Sequence, residues 1–280
     1  MREIQVNEII DAVEKLSLSA NQRLNPDVYQ ALQAGLAREE SQIGKDVLQK
    51  LLLNAQVAQE KGMALCQDTG MAVIFCELGQ NVHVSGGDLS AAINEGVRRG
   101  YRSGYLRNSM VNDPLERVNT GDNTPAVIHY EVVPGEKIKI TVAPKGFGSE
   151  NSSALVMLTP ADGEEGVKQF VLSVVEKAGA NSCPPLVVGV GLGGSMEKAA
   201  LLAKHALCRS VGVPNENEKI AALEKELLNS INKLGIGPAG LGGRVTALAV
   251  HIETFPTHIA GLPVAVNLSC HALRHAEIIL

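Results

Sequence analysis

The stretch Cys66-Gln67-Asp68-Thr69-Gly70 sets a thiol beside an amide, a carboxylate and a hydroxyl, just before the apolar run Met71 to Leu78. A cysteine that only fills a core keeps apolar company. The polar company of Cys66 suits a metal or a polar ligand. Two more of the five cysteines share this setting: Cys183 precedes Pro184-Pro185, and Cys270 closes the apolar run VAVNLS. Each stands at the end of an expected element, where loops carry function. Thiolates gathered from three loops suit an iron–sulfur cluster, and a four-iron cluster with three protein ligands leaves one iron open as a Lewis acid. The competing reading is that such cysteines are buried and inert, as expected of Cys76 inside an apolar strand and Cys208 inside an amphipathic helix.

Glycine-rich segments are the second group. GVGLGG at 189–194 satisfies G-x-G-x-x-G between a strand and a helix, the pattern of a dinucleotide-binding dehydrogenase. That reading also needs an acidic strand end about 20 residues on, where this chain has VGVPNENEK instead. KGFGSEN at 145–151 groups a cation, a flexible backbone and a carboxylate, and GIGPAGLGGR at 235–244 is glycine-dense enough to suggest close approach of backbone to a ligand. Arg107, Lys145, Arg244 and Arg274 are candidates for holding an anion, although each taken singly is more often a surface charge or a structural ion pair. His258 and His271 read more readily as structural histidines than as bases.

The elements that must position these groups follow from periodicity. Val6, Ile9, Ile10, Val13 and Leu16 share one helical face, and the charged start MREIQVNEII reads as part of that helix rather than as a leader. A second helix opens with Asn25 and Pro26 and carries Val28, Leu32 and Leu36; a third runs from about Lys45 to Lys61 and stops at Gly62. Further helices are expected at 89–99, 163–178, after Ser195 as cap, and at 216–234. Strands are expected at 71–78, 186–190, 245–252 and 262–268, with 126–133 and 136–143 joined by Pro134-Gly135 as a hairpin. The pattern predicts an α/β mixed (α+β) fold with largely antiparallel sheets flanked by helices, in a single compact domain spanning 1–280.

Composition limits the partners. With 25 Lys and Arg against 30 Asp and Glu, and no basic block, the chain is not built to bind nucleic acid or an anionic membrane. Aromatic residues are only 3%, too few for base-stacking platforms. No apolar run reaches the ~20 residues of a membrane span. A cytoplasmic location is expected.

Six motifs occur in one order: CQDTG at 66–70, NTGDNTPA at 119–126, KGFGSENSS at 145–153, CPPLVVGVGLGG at 183–194, GIGPAGLGG at 235–243 and PTHIAGLPVAVNLSCHALRH at 256–275. Together they resemble the alpha subunit of two-subunit class I fumarate hydratases. Tartrate dehydratase alpha subunits share the general pattern, with KGFGSEN and PTHIAGLP closer to fumarase. The resemblance implies that Cys66, Cys183 and Cys270 hold a [4Fe-4S] cluster. It implies that Gln67, Asp68, Arg107, Gly146 and Gly148 line the dicarboxylate pocket, and that the reaction is reversible dehydration of malate to fumarate. In single-chain members the base lies in a C-terminal domain; here RHAEIIL follows soon after Cys270. The resemblance therefore implies a separate beta subunit that supplies the base, in an oligomer. A non-catalytic metal-binding scaffold is the alternative from another class.

Overall fold

The computed structural model describes residues 2–280. In chain order the elements begin β1 (Arg2–Gln5), α1 (Val6–Gln22), α2 (Pro26–Arg38), α3 (Gln42–Lys61), β2 (Met71–Gly79), β3 (Val82–Ser85) and α4 (Leu89–Ser103). They continue with β4 (Val127–Val133), β5 (Ile138–Lys145), α5 (Phe147–Glu150), β6 (Ala154–Leu158), α6 (Gly163–Ala178), β7 (Leu186–Gly193) and α7 (Met196–Ala206). The last are α8 (Glu218–Lys233), β8 (Ala247–Phe255), β9 (Leu262–Ser269) and β10 (Ala276–Ile279). The fold is mixed α/β as expected. Each four-stranded sheet combines two antiparallel pairings with one parallel pairing. The chain divides into two compact units: Met1–Asn25, Ala55–Gly146 and Arg274–Leu280 form the first, and Pro26–Asn54 with Phe147–Leu273 the second.

In the first unit the sheet order is β10-β5-β2-β4. The expected hairpin is corrected here: both of its strands exist, but β2 lies between them, antiparallel to β5 and parallel to β4. The reason lies in β2 itself. Ala72 to Cys76 are all buried, and a strand covered on both faces takes a central place. The Pro134-Gly135 segment instead wraps the end of β2, accepting hydrogen bonds from Gly79 N (2.9 Å to Lys137 O) and Asn81 N (2.9 Å to Gly135 O). Residues 2–5, expected as helix, form a strand parallel to β3, and α1 begins after Gln5 with a capping box closed by Glu8.

Helices α1 and α4 pack closely because α4 presents glycines every fourth residue. A Cβ at Gly96 would stand 2.7 Å from Ile10 O, and one at Gly100 3.0 Å from Glu14 O. Bulk there would push the helices apart. Ile9, Val13, Ile93 and Val97 then close over Ile74, Ile138, Ile140 and Val142 as one core.

The second unit has the order β6-β9-β7-β8. Val188 and Val190 on one face of β7 join Val171, Val175, Leu227 and Ile231 from α6 and α8 in the core. The other face carries Gly189 and Gly191, where an added Cβ would lie 2.1 Å from Ala203 O and 2.0 Å from Ala199 O of α7. The GVGLGG segment is thus mostly strand, and its glycines admit a helix rather than a pyrophosphate. This counts further against the dinucleotide reading, which already lacked its acidic strand end. Ser195 occupies the cap position of α7, but its hydroxyl accepts no helix N–H and instead donates to Glu197. Cys208, expected inside that helix, lies two residues beyond its end and is half-buried. None of the described helices is long and apolar enough to cross a membrane.

Candidate functional site

In the first unit, α3 stops at Gly62 with positive φ (60°), and Leu65 N donates to Asn21 O on α1 at 2.8 Å. The chain then presents Cys66 half-buried, Gln67 exposed and Asp68 half-buried. This loop is held through its backbone. Arg274 Nη2 donates to Asp68 O (2.8 Å), and the Tyr101 hydroxyl bridges Thr69 O (2.8 Å) and Gly70 O (3.1 Å). Asn123 Nδ2 donates to Gly70 O (3.1 Å), while Gly70 N closes the loop onto Asp68 Oδ1 (3.0 Å). Thr69 Oγ1 accepts from Arg107 N (2.9 Å) and donates to Arg107 O (3.1 Å), which fixes Arg107 to the loop with its side chain exposed.

Tyr101 sits one residue past Gly100, so the glycine stripe that draws α4 onto α1 also delivers the phenol. Burial pushes the Tyr101 hydroxyl up to about 12, with the Arg274 charge opposing. It therefore remains a donor at neutral pH. Asn123 adopts a left-handed conformation (φ 59°) and accepts from Ser109 N (2.7 Å) and Met110 N (3.2 Å), tying the segment after Arg107 to the same loop. Beside it, burial would raise Asp122, but hydrogen bonds from Arg98 and Thr124 outweigh this and bring it down to about 2.

Only glycine fits at 70 and suits 146. A Cβ at Gly70 (φ 69°) would lie 2.5 Å from the Lys145 carbonyl carbon. One at Gly146 would lie 3.0 Å from Asp68 Oδ2 and 3.6 Å from Arg274 Nη2. Lys145 is buried, with Nζ donating to Gly146 O (3.2 Å). One carboxylate and two cations therefore surround Gly146. Arg274 is 4% exposed, and its Nε and Nη1 have no hydrogen-bond partner among the described residues.

In the second unit, Cys183 is exposed and takes a left-handed backbone (φ 54°) after the 3-10 turn Gly179–Ser182. Such a conformation is unusual for a side-chain-bearing residue and concentrates at functional sites. Cys270, half-buried, follows β9, whose pairing of Ser269 with Val187 sets it beside the start of β7. His271 Nδ1 bonds the Cys183 carbonyl at 3.1 Å, joining the two cysteine-bearing ends. The glycine-dense 235–244 segment braces the same turn: Ala239 N donates to Pro184 O (2.8 Å), and a Cβ at Gly240 would strike Ala180 (2.3 Å).

The close approach expected of that segment is to an internal carboxylate. Glu39 accepts from the backbone N–H of Arg244 (2.9 Å) and Val245 (2.9 Å). Burial would raise Glu39, yet these backbone donors hold it below the usual range. Arg244, proposed for anions, makes an exposed pair with Glu40 (3.1 Å). His258 only closes a turn, accepting from Ala260 N at 3.2 Å.

Gly148 is exposed in α5, and a Cβ there would meet only Asn181 O at 3.6 Å. The carboxylate of the KGFGSEN motif, Glu150, is turned to structure: it pairs with Lys204 and accepts from Asn267 Nδ2 (2.8 Å).

Of the residues singled out in the sequence, Cys66, Gln67, Asp68, Arg107 and Gly146 lie in the first unit, and Gly148, Cys183 and Cys270 in the second. None of the five cysteines is in a disulfide. The three thiols at element ends keep the accessibility a thiolate ligand needs, whereas Cys76 is buried and pushed up to about 11 by burial, aided by Glu77. Accessible thiols are the donor chemistry that an iron–sulfur cluster takes. Among the described residues no three His, Cys, Asp or Glu side chains are grouped as a site for a single metal ion. Tyr101 and Asn123 were not singled out in the sequence. The available signals were the Gly96, Gly100, Gly104 spacing beside Tyr101 and the place of Asn123 within NTGDNTPA.

Comparison with known proteins matches residues 10–279 to a family described as Fumarate hydratase (Fumerase). A protein of Methanocaldococcus jannaschii, provisionally named L(+)-tartrate dehydratase subunit alpha, is 43% identical over 96% of each chain. L(+)-tartrate dehydratase subunits alpha of Escherichia coli O157:H7 and K12 are each 32% identical over 98% of this chain and 91% of theirs.

Proposed function

The chain belongs to the Fumarate hydratase (Fumerase) family, and we propose that it is the alpha subunit of a hydro-lyase that reversibly dehydrates malate to fumarate. The observation that carries this reading is the Cys66–Gly70 loop, whose backbone is anchored so that a thiol, an amide and a carboxylate stand together. Dehydration breaks a C–O bond with a poor leaving group and removes a proton from the neighbouring carbon. Binding groups must hold both carboxylates of the substrate while charge develops. Gln67 and Arg107, both exposed beside the anchored loop, are the donors for a substrate carboxylate; Asp68 orients the hydroxyl-bearing carbon, and the backbone at Gly146 and Gly148 approaches without side-chain bulk. Cys66, Cys183 and Cys270 would hold a [4Fe-4S] cluster, which when bound supplies a Lewis acid for the departing hydroxide.

We assign the general base to a separate beta subunit, as the naming of the relatives as alpha subunits suggests. The chain then acts as one functional domain, 1–280, within an oligomer in the cytoplasm. A second reading, L-tartrate as substrate, is favoured by the names of those same relatives. Anaerobic reconstitution with the beta subunit, followed by assays with malate, fumarate and L-tartrate, decides between them. The chain reconstituted alone should hydrate fumarate negligibly; full turnover by it would remove the beta subunit from the proposal. Cys66→Ser, Cys183→Ser and Cys270→Ser should each lose the cluster, whereas Cys76→Ala and Cys208→Ala should keep it. Equal iron in all five variants refutes the ligand assignment. A cluster spectrum that substrate leaves unchanged would instead favour a scaffold.

A further inference from the structure

We propose that Arg274 is a positioning residue for Asp68, fixing that carboxylate in the orientation in which it faces substrate. The proposal rests on the reading that Asp68 lines the dicarboxylate pocket. Three observations carry it. Arg274 is buried to 4% exposure, and its Nη2 donates to the Asp68 carbonyl at 2.8 Å. The position a Cβ would take on Gly146 lies 3.0 Å from Asp68 Oδ2 and 3.6 Å from that same Nη2, so carboxylate and guanidinium share one small volume kept open by the missing side chain. The other carboxylate oxygen, Oδ1, takes Gly70 N at 3.0 Å, so the loop constrains Asp68 from within while Arg274 constrains it from outside.

The remaining donors separate this from a merely structural arginine. Nε and Nη1, which carry three of the five N–H bonds of a guanidinium, have no acceptor among the described residues. A buried arginine kept only for stability has most of its donors satisfied, because uncompensated burial of charge is costly. Here Nη2 donates to one backbone carbonyl, and it belongs to the residue assigned to the pocket. The planar guanidinium can bond the main chain and stand beside the side chain of one residue at once, which an ammonium on a flexible stem does poorly.

Two measurements test this. In the chain alone, Arg274→Gln should raise hydrogen exchange at the Gly70 amide, which reports the Asp68 Oδ1 contact, by about tenfold or more while β2 and α4 stay protected. In the reconstituted complex, Arg274→Gln and Asp68→Asn should each lower kcat with little change in KM, and the double variant should be no worse than the weaker single one. Arg274→Lys should retain iron and fold but not kcat. Losses that multiply, a wild-type kcat in Arg274→Lys, or loss of fold in both Arg274 variants would overturn the proposal. If Asp68→Asn is fully active, the pocket reading fails instead, and Gly70 exchange still reports whether Arg274 holds the loop.

Discussion

The Cys66–Gly70 loop and strand β7 both carry glycines where ligand contact could be expected, and they use them for opposite ends. In β7 the absent side chains let α7 sit against the backbone, with Gly189 and Gly191 facing Ala203 O and Ala199 O. The region is buried and apolar, with Ala199, Ala203 and Ala265 packed together. In the loop, Gly70 lets β5 run alongside, and the carbonyls of residues 68–70 are met by Arg274, Tyr101 and Asn123. A glycine pattern alone does not distinguish the two; what occupies the space of the missing Cβ does.

The contrast can be broken most severely at Gly191→Ala. Its Cβ would meet a backbone oxygen at 2.0 Å, so about 3 kcal/mol or more of stability should be lost, read by urea unfolding. Ordinary stability would show that α7 is not seated there.

His251, opposite Gly189 on β8, gives the next largest effect. Burial, with Arg209 adding to it, lowers this histidine from 6.5 to about 4. The unfolded chain therefore binds the proton first, and stability falls as pH drops from 6.5 toward 4, by about 3 kcal/mol in total. A His251→Gln variant should lack this slope in pH-dependent unfolding between those limits.

On the loop side, Tyr101→Phe removes the hydroxyl that bridges two carbonyls and should cost about 1–2 kcal/mol, with a further loss of turnover in the complex. The smallest stability effect is expected for Gly148→Ala, within about 0.5 kcal/mol, since its Cβ meets only Asn181 O at an ordinary 3.6 Å. Lost activity in that stable variant would mark Gly148 as a glycine kept for substrate.

Much of the frame was legible from periodicity: the faces of α1, α6 and α8 put Val13, Val171 and Leu227 in the cores. The expected hairpin does not form because neighbours in sequence need not be neighbours in a sheet, and the evenly apolar β2 claims the place between β4 and β5. Strands β1, β3 and β10 have four residues each, too few for a period to emerge. At the site, the polar company of Cys66 marks the loop whose carbonyls Arg274, Tyr101 and Asn123 hold. Its supports did not announce themselves, because Tyr101 reads as one apolar helix position and Arg274 as one more charge. Their meaning comes from the main-chain oxygens they reach, and backbone acceptors leave no trace in residue identity.

Arg274 reaches Asp68 across 206 residues of chain. During synthesis from the N-terminus, the thiol-bearing loop leaves the ribosome long before its clamp exists. Until residues 274–280 add β10 to the edge of the first sheet, the nascent loop lacks its Arg274 anchor. A nascent chain stalled before that point would carry Cys66 on a loop without this anchor.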